Sequence, residues 1–256
     1  MSLIEKAHSD LSASASERWL NCPPSVQLSK QAPPQGTSKW AGEGTLAHHY
    51  LEEWLLAIWY GEKYKIPRAL KENEDMLSAV RSAVNYIKGI WDEDREKLFI
   101  EERVALDFID KEMFGTGDVF IVRPKEHLHA IDYKHGAGKV VDVVKSGTFS
   151  TEYNTQLMFY AIGMAHRYDY DFKKYTITVI QPRAQSGNGI KSVSFTNRQL
   201  KDYIAMFKRG VKRVREGKGK TAQGQWCYWC PAREHNCPLH ERIKYEKSKE
   251  LLEGFD

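Results

Sequence analysis

Asp132 and Lys134, in the run HLHAIDYKHG, stand two residues apart in a stretch rich in apolar and aromatic side chains. If that stretch is a strand, both side chains leave the same face of the sheet. Asp118 lies fourteen positions earlier, after GTG in FGTGDVFIVRP, with a short turn expected at 123–126. That interval suits two adjacent antiparallel strands whose carboxylates come side by side. Two hard oxygen ligands on neighbouring strands can hold Mg²⁺ or Mn²⁺, ions that keep open positions for water and a phosphate. A lysine one ammonium-length away could orient or help deprotonate an attacking water, or neutralise charge developing on phosphorus. The D-x-K pattern alone recurs by chance, and Asp171 with Lys173 also fits it. Only the first pair has strand-like sequence around it and an acid upstream. The bland alternative is a surface salt-bridge cluster.

Cysteine spacing is the second chemical signal. Of four cysteines, Cys227, Cys230 and Cys237 follow a C-x2-C-x6-C pattern in WCYWCPAREHNCP, and Cys22 sits near the start in RWLNCPP. In a reducing compartment a disulfide framework is not expected, which leaves metal binding, redox chemistry or chance. Thiolates so spaced can converge on one soft metal centre. Cys22 is one candidate for a fourth ligand; His235 or His240 is another and would make a local Zn²⁺ site.

Elements to position these residues are readable from periodicity. Residues 1–39 are rich in Ser, Pro and Gln, with Pro23, Pro24, Pro33 and Pro34, and read as an extended arm. Leu46, Tyr50, Leu51, Trp54, Leu55 and Ile58 predict a helix over about 44–60, and Leu77, Val80, Val84, Ile87 and Trp91 a second over about 69–96. KLFIEERVALDFI, FGTGDVFIVRP and HLHAIDYKHG then predict a meander of three strands. A helix over 153–167, a strand over 175–181 and a helix over 197–216 complete an α/β domain. Its fourth strand is reached by a helical crossover and should lie parallel to a neighbour.

A chain of 256 residues suits one domain with appendages. Its hydrophobic content of 41%, charged content of 28% and mean hydropathy of −0.57 exclude a disordered chain and a membrane protein. The longest apolar stretch, WLLAIWY at 54–60, is too short to span a bilayer, and Glu5, Lys6 and Asp10 stand where a signal peptide needs an apolar run. The cytoplasm is the expected compartment. Net charge is only +4, but KRGVKRVREGKGK at 208–220 concentrates Lys208, Arg209, Lys212, Arg213 and Arg215. Such a run is a solvated helix end or a grip on DNA phosphates. Trp226, Tyr228 and Trp229 beside it could stack unpaired bases or pack around the cysteines. GKGKT at 217–221 and GAGK at 136–139 lack the rest of a P-loop, and no H-E-x-x-H pattern accompanies His48 and His49.

The order GTLAHHYLEE, IEERVAL, GTGDVF, IDYKHG and NTQLMFYAIG resembles the RecB-type branch of the PD-(D/E)XK nuclease superfamily, over about residues 11–239, and most closely its small phage-associated members. The resemblance implies that His48 helps bind metal, that Asp118, Asp132 and the Tyr133 backbone carbonyl hold it, and that Lys134 is catalytic. It further implies that Gln156 and Tyr160, as a Q-x-x-x-Y pair, organise the site and contact DNA. His49 competes with His48. The choice between Glu101 and Glu102 stays open: strand parity groups Glu102 with Ile100, Val104 and Leu106, whereas the family pattern favours Glu101 as ligand or supporting acid. One cysteine before the nuclease core and three after it are similar to the iron-sulfur staple of AddB-type helicase-nucleases and CRISPR adaptation nucleases. That implies a 4Fe-4S cluster on Cys22, Cys227, Cys230 and Cys237, with Zn²⁺ as the alternative. Closing so long a loop removes unfolded-state entropy worth on the order of 4 to 5 kcal/mol.

The expected organisation is one nuclease domain: an arm over 1–40, a helical part over 41–97, a nuclease core over 98–216, and a cysteine segment with a C-terminal helix over 217–256. The expected activity is Mg²⁺- or Mn²⁺-dependent hydrolysis of DNA, by an exonuclease acting at ends in recombination or end processing. A recombinase, single-strand-binding protein or helicase would be its partner, in the bacterial cytoplasm if a phage encodes it. The competing class is a non-catalytic DNA-binding subunit that keeps the fold.

Overall fold

The computed structural model describes residues 9–34, 36, 38–146, 151–184 and 189–244. Two short helices, α1 (Ser16–Asn21) and α2 (Ser25–Gln31), precede α3 (Lys39–Trp59), α4 (Arg68–Lys71) and α5 (Glu74–Ile90). The meander β1 (Lys97–Ala105), β2 (Phe114–Arg123) and β3 (Lys125–Tyr133) follows. After the small hairpin of β4 (Val144–Ser146) and β5 (Thr151–Tyr153) come α6 (Thr155–His166), β6 (Phe172–Ile180), β7 (Ile190–Phe195) and α7 (Asn197–Arg215).

The main sheet has the order β1-β2-β3-β6-β7. Its pairs are antiparallel except β3 with β6, which run parallel across the α6 crossover. This is the meander, helix, parallel strand and helix expected from the sequence. Alternation along the strands supplies two apolar faces. Phe120, Val122, Leu128, Ala130 and Ile177 pack with α6, α7 and Trp19 of α1, whereas Val119, Ile121, Ile131 and Tyr133 pack under α3 and α5. Gly210 lets α7 approach α1, since a Cβ there would lie 2.5 Å from Leu20.

Helix starts follow side-chain caps, which account for the boundaries that periodicity misplaces. Ser38 accepts from the Ala41 amide and begins α3 five residues before the predicted start at Gly44. Asn73 accepts from Met76 and divides the predicted 69–96 helix into α4 and α5, which stops at Ile90 because the chain must turn into β1. Asn154 and Thr196 cap α6 and α7. The arm is not uniformly extended: α1 forms before Pro23 and α2 between Pro24 and Pro33, with Pro24 at the position preceding α2. Three strands went unread, namely β4, β5 and β7, the last an edge strand whose polar residues mask its alternation. The expected C-terminal helix beyond residue 244 and residues 1–8 lie outside the described residues. Among the described residues no helix is long and apolar enough to cross a membrane.

Candidate active site

Three acids share one row across the meander. Continuing the β2–β3 register one step past Val119↔Ile131 sets Asp118 opposite Asp132, and Ile100↔Val119 with Glu102↔Gly117 brackets Glu101 opposite Asp118. Glu101 is left-handed, with φ of 47°, a conformation non-glycine residues seldom adopt outside turns and functional sites. Its consequence is visible in the core. Leu98 and Ile100 pack under α3 and α5, but Val104 and Leu106, of the same parity, pack on the α6 side. The parity that grouped Glu102 with Ile100 therefore fails at Glu101, where the alternation reverses. Glu102 pairs instead with Arg167 at 2.7 Å.

His48, carried by α3, brings a nitrogen to this row. Its Nδ1 lies 3.5 Å from Asp118 Oδ1 and 3.9 Å from Glu101 Oε1, and its ring packs edge-on against Tyr133. Among the described residues, His48, Glu101 and Asp118 form the one group of at least three potential ligands whose donor atoms all lie within 4.8 Å of one another. Burial lowers the His48 pKa, but Asp118 and Glu101 outweigh it and push it up to about 10. A proton is thus drawn to where the acids would accept a cation, which fits a divalent metal. His49, one residue on, is exposed and lies 3.4 Å from Glu53.

The lysine binds the row to α6. Lys134 Nζ lies 3.0 Å from Asp132 Oδ1 and 2.9 Å from Oδ2, and donates to Gln156 Oε1 at 3.2 Å. Gln156 Nε2 in turn donates to Tyr160 Oη at 3.1 Å, one helical turn on. Burial raises the Asp132 pKa against the opposing charge of Lys134. For Lys134 burial is overcome by Asp132 and Asp118, so the ammonium is held charged. Tyr133 donates its amide N–H to Asp118 Oδ2 at 2.7 Å, fixing that carboxylate.

A polar network at the end of β3 escaped sequence reasoning. Arg183 Nη1 donates to Glu43 Oε1 at 2.6 Å and to His135 Nε2 at 2.8 Å, and His135 Nδ1 bonds Tyr133 Oη at 2.8 Å. Burial, with Arg183 adding to it, lowers the His135 pKa and keeps the ring neutral. Glu43 and Arg183 are 140 positions apart, and no local pattern links them.

The four cysteines line one cavity of about 320 Å³ between α1, α2 and the C-terminal segment, together with Arg18 and His240. Burial pushes the Cys22 thiol up, and Cys230 and Cys227 add to it, so the sulfurs feel one another across some two hundred residues of sequence. Arg18 donates to the Trp229 carbonyl at 3.2 Å and Asn236 to that of Leu28 at 3.0 Å, holding the segment in place. Trp226 packs with its indole N–H on the Ala222 carbonyl, whereas Tyr228 and Trp229 are exposed.

The basic run divides. Arg213 donates to the Leu20 carbonyl at 2.8 Å and Arg215 makes a bidentate pair with Asp110 at 2.8 and 2.6 Å, so both tie α7 to neighbours. Lys212 stands 3.8 Å from Glu216, a loose pair, and Lys208 and Arg209 are exposed.

A family model described as “Protein of unknown function (DUF2800)” matches residues 8–253. Two crystal structures are similar at low identity. One is of a Eubacterium rectale protein provisionally designated an exonuclease, 11% identical, with a TM-score of 0.48, covering 93% of this chain and 94% of that one. The other is of SSO0001, 10% identical, with a TM-score of 0.40, covering 93% of this chain and 89% of that one.

Proposed function

The chain belongs to the DUF2800 family, and we propose that it is a metal-dependent deoxyribonuclease. The observation that carries this reading is the junction of Asp132, Lys134 and Gln156 beside the Glu101–Asp118–Asp132 row and His48. A structural ion pair needs no second carboxylate across the strand, no histidine and no polar helix start aimed at the lysine. Phosphodiester hydrolysis uses each of these.

His48, Asp118 and Glu101 would hold Mg²⁺ or Mn²⁺, with Asp132 and the Tyr133 carbonyl available to complete the shell. When bound, such an ion supplies Lewis acidity to the phosphate and to water. Lys134, kept charged by Asp132 and Asp118, orients the attacking water and meets charge developing on the phosphate oxygens. Gln156 and Tyr160 hold the ammonium in that position. Action at DNA ends, in recombination or end processing, is the finer reading, supported by the resemblance of the motif order.

Cys22, Cys227, Cys230 and Cys237 would carry the 4Fe-4S cluster. Four thiols around one cavity, one from before the core and three from after it as in the iron-sulfur staple, support that reading over a single Zn²⁺. Its work there is structural, pinning α1 to the C-terminal segment.

Labelled single- and double-stranded DNA incubated with Mg²⁺ or Mn²⁺, beside the Asp132→Ala and Lys134→Ala variants, tests the enzyme. Cleavage by the wild type alone is expected. Equal behaviour of all three proteins ends the enzyme reading, and binding without cleavage would make the chain a DNA-binding subunit.

A further inference from the structure

Helix α3 reaches past the sheet it packs on. Trp40 precedes Ala47, Leu51, Leu55 and Ile58 by seven, eleven, fifteen and eighteen residues, close to whole turns of about 3.6 residues each, so all five share one stripe. Ala47, Leu51 and Leu55 are buried on that stripe, yet Trp40 is 72% exposed, more than any other large apolar side chain described. The stripe that faces the sheet thus continues into the first turn of α3, where the indole is left in water.

The same helix leads from the indole to the acid row. His48 lies eight residues along the helix, about 12 Å by the helical rise, and touches Asp118. Glu43 lies one turn from Trp40 and is held by Arg183 at 2.6 Å, and Lys39 is exposed beside the indole. An aromatic face, an exposed lysine and the histidine of the acidic metal-type site therefore follow one another along a single helix.

We infer that Trp40 is a stacking platform for an unpaired nucleobase, with the exposed Lys39 available to the adjoining phosphates. The substrate strand is consequently single-stranded, overhanging or frayed where it meets α3. The inference rests on the nuclease reading and names its substrate class. Stacking on an indole requires a base free of its partner, because in duplex DNA the faces of the bases are already covered by their neighbours. It tolerates every base, since each has a π-face, and it combines with backbone-directed positive charge in proteins that track single strands. Leaving so large an apolar surface in water gains nothing in the free protein; covering it with a base does.

Fluorescent oligonucleotides, either single-stranded, overhanging or blunt duplex, are titrated with wild type, Trp40→Ala and Trp40→Phe, with Ca²⁺ replacing Mg²⁺ to suppress cleavage. Trp40→Ala is expected to bind single strands and overhangs about tenfold more weakly and blunt duplex within about twofold of wild type, with Trp40→Phe intermediate. Sedimentation of the free proteins accompanies the titration. Unchanged single-strand affinity overturns the inference, as does equal weakening on blunt duplex. An altered sedimentation coefficient with unchanged DNA affinity also overturns it and makes the indole a contact between copies of the chain. If only the wild type binds single strands tightly but none of the proteins cuts DNA when Mg²⁺ is restored, the subsite stands and the nuclease reading falls.

Discussion

Lys134 donates to Gln156 across 3.2 Å, joining the end of β3 to the first turn of α6. Asn154 makes this possible: its side chain caps α6 on the amides of Gln156 and Leu157, so the glutamine begins the helix already facing the lysine. The same glutamine donates to Tyr160. Its amide is thereby oriented with oxygen toward the cation and nitrogen toward the phenol.

Loss of that orientation should cost rate more than binding. Gln156→Leu is expected to lower kcat about tenfold to a hundredfold with little change in KM, because a catalytic group displaced by an ångström loses alignment rather than substrate contacts. Tyr160→Phe, which removes only the outer hydroxyl, should lose less. Steady-state kinetics on a labelled oligonucleotide decides between this and a KM effect, which would make Gln156 a DNA contact.

Asp118 is fixed by the Tyr133 amide and faces His48, so it should dominate cation binding. Asp118→Asn is expected to weaken Mn²⁺ affinity, read by calorimetry, by more than tenfold, and Glu102→Gln to leave it unchanged, since Glu102 is spent on Arg167. Equal effects of the two would remove Asp118 from the metal shell.

Stability should fall on mild acidification through His129. Burial, with His127 and Lys174 adding to it, holds this ring's pKa down to about 3, and its Nε2 bonds the Thr178 hydroxyl at 2.7 Å. The unfolded value is near 6.5. Between the two the unfolded chain binds the extra proton, so the contribution is complete above about pH 6.5 and is lost as pH falls toward 3. From pH 7 to 5 the loss is about 2 kcal/mol by this linkage. Urea unfolding of His129→Gln should show a correspondingly smaller change over that range.

The basic end of α7 should separate into two functions. Arg215→Gln breaks the bidentate pair with Asp110 and is expected to lower the unfolding midpoint while leaving DNA affinity within about twofold. Lys208→Gln with Arg209→Gln should leave the midpoint unchanged, weaken DNA binding and reduce the salt slope by up to about 2. The reverse pattern would return the phosphate grip to Arg215.

Cys22→Ser should discharge the cysteine cavity. Anaerobically purified wild type is expected to be coloured and to contain iron, and the variant to be colourless and less stable by up to on the order of 4 kcal/mol, the entropy of the long loop it no longer closes. A colourless wild type that contains zinc would assign the site to Zn²⁺ instead.

Much of the candidate site was legible because it depends on local regularities. Two-residue alternation fixes which face Asp132 and Lys134 share, a fourteen-position step across a hairpin sets Asp118 opposite Asp132, and a four-residue step aligns Gln156 with Tyr160. Cysteine spacing likewise singles out Cys227, Cys230 and Cys237, which line one cavity, before any fold is known. Those relations are set by the geometry of one strand, one turn or one helix. What the tertiary structure decided are matters of competition between distant groups. Glu101 rather than Glu102 joins the row because one left-handed residue reverses the alternation of β1. Arg213 and Arg215 are committed to Leu20 and Asp110, which no periodicity relates to α7. Glu43, His135 and Arg183 meet only where α3 crosses the ends of β3 and β6. Charge pairing and burial are settled by what packs alongside, and for these residues the neighbour comes from a part of the chain tens to hundreds of positions away.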